Sequence, residues 1–432
     1  MTPPPAERPR FRFLDFESRP IRIALLGLVF VLGLATRLTY QSILVGRQTP
    51  PVGDALRYDL VARRVAAGGT FSLPDGDRST LAPGFPYALA GLYRLTGPDW
   101  GAARVMQAVL GALTSLFVAS LGIQMAGPLA GLAAGLFHAF FPYSIALCGT
   151  LWSDPLATLL ALLATLALVR TEGWRGHALW GALCALAALT RPNLALMLPI
   201  GLFWVPAKTL VGFKRVVVAT LAFLAVLAPW TARNWIVHER FVPITTVGGV
   251  MLWEGNNPYV LADSRMRGRS VRADLLKEDL LARGLPETDR NIYYLGLATE
   301  FVNSNWIQMP LLCAAKLVRM VDIVPEADTA VPRLASMTSL AVFFLCFLAG
   351  AVIAWRREAE WLIPFSVPIV SVFLAGVVFA GDARVRAPAD AEIILIGLCG
   401  LALLRPSPPP EFYVPEDDVP PHPPEHAYLG GP

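Results

Sequence analysis

The sequence predicts an all-α polytopic membrane protein, and three observations predict it. Of 432 residues, 55% are apolar and only 16% are charged, whereas soluble domains carry about a quarter charged residues. Apolar runs that can cross a bilayer, which takes about 20 residues of helix, recur along the whole chain. Lys and Arg gather in alternate short connections between those runs, as the positive-inside rule requires.

The elements follow in order. A Pro-rich, basic start, "MTPPPAERPRFRFLDFESRPIR", leads into a first span at 21–42. No A-x-A cleavage signal follows it, so it reads as uncleaved, with its start in the cytoplasm. Residues 102–124 form the second span. Residues 129–148 and 155–170 form the third and fourth, separated by "GTLWSD". Residues 177–190 and 193–207 are a close pair hinged at "TRPN". Residues 216–232, 336–354, 361–380 and 388–404 are the remaining runs. The reading is therefore about 10–12 transmembrane helices.

With the start cytoplasmic, the short inner segments 125–128, 171–176, 208–215 and 355–360 carry Arg175, Lys208, Lys214, Arg215, Arg356 and Arg357. Two long loops, 43–101 and 233–335, then fall on the extracytoplasmic side. Both hold amphipathic segments suited to the interface. In "PVGDALRYDLVARRVAAGGTF", Leu56, Leu60, Val61 and Val65 recur at helical spacing, with arginines on other faces. "LAPGFPYALAGLYRLTG" is apolar but short, and "NWIQMPLLCAAKLVRMVDIV" has Lys316 and Arg319 in its middle.

The organisation is thus a cytoplasmic tail at 1–20 and a transmembrane catalytic module at 21–232 that includes loop 43–101. A second loop region at 233–335 and C-terminal transmembrane helices at 336–405 follow. The tail, 406–432, is Pro-rich and acidic, a composition that predicts cytoplasmic disorder. The net charge of +4 is too small and too dispersed for a nucleic-acid partner. The five cysteines sit in apolar runs without a CxxC and read as small buried hydrophobes. His138 and His238 stand isolated and receive no role.

Polar clusters lie at one predicted side. Asp54 opens the first amphipathic helix, with Tyr58 one turn on. Asp154 in "LWSDP" stands at the outer end of the third and fourth spans, and "LTRPN" places Arg191 and Asn193 at an outer hinge. "GDARVRAPAD" places Asp382, Arg384, Arg386 and Asp390 between the last two spans. Polar residues at membrane depth are costly and mark function. Converging carboxylates and arginines suit a site that holds an anion and removes a proton. Other readings stand beside this one. Asp54 and Asp154 are each placed as helix N-caps. Tyr58 and the arginines suit interfacial anchoring and snorkelling, and Arg191 suits pinning of the hinge.

Seven motifs in order carry a resemblance. They are "GDALRY", "LAPGFPYALAGLYRLTG", "ARVMQAVLGALTSLFVASLG", "LWSDPLATLLALLA", "ALTRPNLALMLP", "APWTARNWIVHERFVPITTVGGVMLWEGNNP" and "DARVRAPADAEIILI". With them the chain resembles the GT-C superfamily of membrane glycosyltransferases. The likeness is to the bacterial family related to protein O-mannosyltransferases and to the lipid A aminoarabinose transferase. The last motif departs in detail. Val385 stands where an aromatic residue is common, and Ala389-Asp390 where an acidic residue and proline are usual.

The resemblance implies a GT-C fold in a bacterial inner membrane, with the active site facing the periplasm. It implies transfer of a sugar from a polyprenyl-phosphate donor to a hydroxyl of a lipid, glycan or protein. Asp54 matches the family's catalytic carboxylate. The chemistry asks for the same residue types. A hydroxyl nucleophile needs a positioned carboxylate to take its proton, and direct displacement inverts the anomeric carbon. A departing phosphate needs preorganised cations. Arg384 and Arg386 come first, then Arg191, Arg104 and Lys316. Asp154 and Tyr58 are supporting candidates. No cofactor is required by the sequence, but a divalent cation (Mg or Mn) held by Asp54 and Asp154 is an open alternative. The rival functions are a multi-pass transporter or lipid-linked-sugar flippase without transfer activity, and a non-catalytic envelope scaffold.

Overall fold

The computed structural model of the chain describes residues 19–170, 173–203, 210–262, 264–322 and 330–404. The expected tails therefore lie outside the described residues, except for Arg19 and Pro20. All regular structure among the described residues is helical.

The first span is α1 (Arg19–Tyr40), which runs on as a short wider turn to Val45. Two short helices follow in the first long loop, α2 (Asp54–Ala66) and α3 (Gly84–Thr96). Then come α4 (Trp100–Ala126), α5 (Pro128–Phe140), α6 (Pro142–Leu147), α7 (Asp154–Arg170), α8 (Trp174–Thr190), α9 (Met197–Leu202) and α10 (Leu210–His238). The second long loop holds α11 (Gly248–Gly255), α12 (Pro258–Ala262), α13 (Asp279–Ala282), α14 (Glu287–Ser304) and α15 (Met309–Met320). The chain closes with α16 (Ala330–Arg356), α17 (Leu362–Val378), α18 (Ala383–Arg386) and α19 (Asp390–Ala402).

Four described helices have the length and apolar composition to cross a membrane: Pro20–Val45, Trp100–Ala126, Val211–His238 and Thr338–Arg356. Pro128–Phe140, Pro192–Leu202 and Leu362–Val378 are shorter apolar helices. The anticipated third span breaks at Phe141, where Pro142 lacks an amide proton and starts a new helix. The "TRPN" hinge is a 3-10 turn, Pro192–Leu196, between α8 and α9. Pro229 and Pro368 lie inside α10 and α17, tolerated where neighbouring helices restore the lost bonds.

Helices pack through small residues, because lipid gives no hydrophobic drive for helix association. A Cβ on Gly131 of α5 would come within 2.2 Å of the Ile123 amide nitrogen of α4. Only glycine permits that approach. The core also contains α19, whose Ile393, Ile394, Leu395 and Ile396 are all buried. Cys148, Cys184 and Cys399 are buried free thiols.

The amphipathic helix α2 buries Ala55, Tyr58, Asp59, Val61, Ala62 and Val65. Leu56 is exposed. The helix packs on α3, and Asp59 is drawn inward by three donors. Its carboxylate accepts from Arg63 Nε at 2.7 Å, Tyr93 Oη at 2.5 Å and Trp100 Nε1 at 3.0 Å. That node ties α2 to α3 and to the start of α4, and it fixes the helix that carries Asp54.

Candidate active site

Asp54 is the first residue of α2, and the turn before it uses Gly53 at φ 57°, a conformation that favours glycine. Asp54 makes no capping bond there. Its Oδ2 instead accepts from Arg384 Nη1 at 2.8 Å. Asp154 is likewise the first residue of α7. Its carboxylate is fully buried and accepts from Arg191 Nη1 on one oxygen and from Arg384 Nε, at 3.2 Å, on the other. Four charges from four distant segments thus alternate in sign: Asp54, Arg384, Asp154, Arg191.

Arg384 is the centre of this chain of charges. Asp382 caps its short helix, Oδ1 accepting from the Arg384 amide at 2.6 Å. The guanidinium lies 4.0 Å from the centroid of the Trp152 ring, a cation–π contact. Burial pulls the Arg384 pKa down, but the charges of Asp154, Tyr58 and Asp54 outweigh it and hold the pKa above its ordinary value. The group is a permanent cation. Tyr58 Oη lies 3.5 Å from Ser153 Oγ, beside the Asp154 turn.

The network has one open edge. Asp54 is 46% exposed in its side chain, against 22% for Arg384 and none for Asp154. Neither Asp54 Oδ1 nor Arg384 Nη2 has a hydrogen-bond partner among the described residues. The bonded pair therefore keeps one carboxylate oxygen and one guanidinium nitrogen without a protein partner among the described residues.

The other sequence candidates lie elsewhere. Arg386 is fully buried. Its Nε donates to Asp390 Oδ1 at 2.7 Å and its Nη1 to the Met320 carbonyl at 2.6 Å. The rings of Tyr143, Phe343 and Phe344 surround it. This geometry is a buried ion pair between α18 and the start of α19, tied to α15 by the Met320 carbonyl, with no bond to Asp54 or Asp154. Arg104 donates to the carbonyls of Arg47 at 2.7 Å, Thr49 at 2.6 Å and Gly149 at 3.2 Å. It pins the segment leading to α2. Lys316 is buried and donates to Asn256 Oδ1 at 2.8 Å and to the carbonyls of Val377 and Val378 at 3.1 and 3.2 Å. His138 is satisfied in the core by Ser115 Oγ at 2.8 Å.

Two residues escaped the sequence reading. Trp152 lay in the quoted "LWSDP" motif, and an aromatic next to a conspicuous acid was its only signal. Asp59 lay one turn past Asp54, with no mark to separate a structural node from a surface charge.

Asp54 and Asp154, the pair the sequence offered to a divalent cation, are bridged by an arginine. Among the described residues no three His, Cys, Asp or Glu side chains form a metal-holding group. The Arg384 guanidinium bonds both Asp54 and Asp154, in the place a cation between those carboxylates would take.

The fold has solved counterparts. The apo oligosaccharyltransferase of Archaeoglobus fulgidus matches with a TM-score of 0.54 at 12% identity, over 90% of this chain and 51% of that one. The same enzyme in complex with Zn and sulfate matches with a TM-score of 0.51 at 14% identity, over 87% of this chain and 48% of that one. ArnT from Cupriavidus metallidurans, bound to undecaprenyl phosphate, aligns at 16% identity over 89% of this chain and 77% of that one, with a TM-score of 0.40. The chain spans about half the length of the oligosaccharyltransferase structures it matches. No curated protein matches it in sequence.

The helical bundle shares its fold with that membrane-embedded oligosaccharyltransferase. More particularly, residues 80–232 match the family described as dolichyl-phosphate-mannose-protein mannosyltransferase.

Proposed function

We propose that the chain is an inverting glycosyltransferase. It takes a sugar from a polyprenyl-phosphate donor and passes it to a hydroxyl of a lipid, glycan or protein at the extracytoplasmic face of a bacterial inner membrane. The observation that carries this reading is the bond of Arg384 to both Asp54 and Asp154, with Asp54 at the open edge.

Each group has a task. Asp54 accepts the proton of the attacking hydroxyl. The oxygen then attacks the anomeric carbon, the sugar–phosphate bond breaks, and the electron pair leaves with the carrier phosphate. Arg384 donates to that phosphate as its charge grows. Asp154 is too buried to meet substrate and serves to aim Arg384, while Arg191 balances its charge. Tyr58 sits between the base and the Asp154 turn and shapes the space between them. The carrier lipid keeps its phosphate at the membrane surface, and the short helix α2 holds Asp54 at the same level.

Asp54→Asn tests the reading. The variant keeps its shape and a hydrogen-bond acceptor for Arg384, so it binds the charged carrier. It loses transfer by about 10²–10⁴-fold, the usual contribution of a general base. Transfer at the wild-type rate, or movement of intact glycolipid across vesicles by wild type without cleavage of the sugar–phosphate bond, would defeat the proposal.

A further inference from the structure

We infer that Glu254 is a binding residue for the transferred sugar, its carboxylate accepting hydrogen bonds from the sugar's hydroxyl groups; this rests on the glycosyl-transfer reading above.

Glu254 lies near the end of α11, in "WEGNNP". That end is clamped to the segment that carries Arg384. A Cβ on Gly255 would stand 1.6 Å from the Phe379 carbonyl oxygen, so only glycine allows the two backbones to meet. Asn256 Nδ2 donates to the Val378 carbonyl at 3.0 Å. Lys316 ties the same asparagine to the end of α17. The chain then runs from Phe379 to Asp382 and Arg384. Glu254 is thereby fixed on the element packed against the end of α17, where Phe379 stands five residues before Arg384 in the chain.

Its carboxylate is held but only half used. One oxygen, Oε1, accepts from the Ala273 amide at 2.9 Å. The other has no hydrogen-bond partner among the described residues. Burial pushes the Glu254 pKa up; the Ala273 bond opposes this, and the charges of Asp274 and Asp54 add to it. The Asp54 charge also reaches the neighbouring Arg272. An oriented carboxylate with one free oxygen, on the element clamped to the segment that carries Arg384, is a natural acceptor for an O–H of carbohydrate. Between a held phosphate and the base there is room in the reaction for one group only, the sugar in transit.

The competing reading is that Glu254 only caps the Ala273 amide. Glu254→Gln separates the two, because the glutamine carbonyl still accepts from Ala273 while the anionic acceptor is lost. The probes are undecaprenyl phosphate alone and the same carrier charged with a single mannose, glucose, galactose, N-acetylglucosamine or aminoarabinose. Binding is read by thermal shift and titration in detergent.

Wild type should bind the bare carrier, and one charged carrier more tightly. Glu254→Gln should bind the bare carrier as wild type does and lose about ten-fold or more of affinity for that charged carrier, as for a hydrogen bond to a charged group. Equal affinities of variant and wild type for every charged carrier would overturn the inference and leave the transfer reading standing. Wild-type binding in which no sugar adds to the bare carrier would also overturn it. Failure of wild type to bind any carrier would instead remove the transfer reading on which it rests.

Discussion

Asp154→Asn tests how Arg384 is held. The Asp154 carboxylate is fully buried and bonded by two arginines, with Arg384 Nε at 3.2 Å. At an effective dielectric of roughly 20, unit charges at that distance attract by about 5 kcal/mol. Desolvation of both groups subtracts from this ceiling. The two arginine side chains are 15% and 22% exposed, so water replaces little of what is lost. Removing one partner of a buried pair costs about 3–5 kcal/mol. Arg384 keeps its bond to Asp54, which places the cost near the lower end, about 3 kcal/mol. If that loss falls on the aim of Arg384 at the departing phosphate, the rate drops about 10²-fold. The assay is the initial rate of sugar transfer at varied donor concentration, with thermal unfolding of the same preparation alongside. The expected outcome is a folded variant with a lower melting temperature and kcat/KM reduced by about two orders of magnitude. Wild-type kcat/KM at an unchanged melting temperature would refute the argument that Asp154 positions Arg384.

Two further predictions follow from the same geometry. Arg384→Lys keeps the charge but presents a point rather than a fork, so it cannot serve Asp54, Asp154 and the phosphate together. Its kcat should fall by about ten-fold or more, and full activity in a kinetic assay would show that a lone cation is enough. Arg386→Met leaves Asp390 buried without its partner and should cost about 3–5 kcal/mol of stability, seen as a lower melting temperature. Arg386→Met combined with Asp390→Leu should recover most of it, and donor KM in the double variant should match wild type. A raised donor KM with unchanged melting would instead place Arg386 on the phosphate.

Much of the fold was legible in the sequence because lipid imposes its rule locally. Each span needs an apolar run of fixed length, and such runs can be read without knowing their neighbours. The boundaries of α4, α7, α8 and α17 fall within a few residues of the runs at 102–124, 155–170, 177–190 and 361–380. The break at Pro142 was missed because the residues on both sides are equally apolar. The inward turn of Asp59 was not legible because its three donors come from α2, α3 and the start of α4.

The sequence by itself determined that the chain is helical and membrane-embedded. Those facts depend on composition and on the order of runs along the chain. Only the tertiary structure decided which charges meet. Arg384 and Arg386 are two residues apart and chemically identical, yet one bonds Asp54 and Asp154 while the other bonds Asp390 and the Met320 carbonyl. The physical reason is that α18 is one short turn wedged between α17 and α15, so successive arginines point to opposite sides of it, one into the open site and the other into the packed interior.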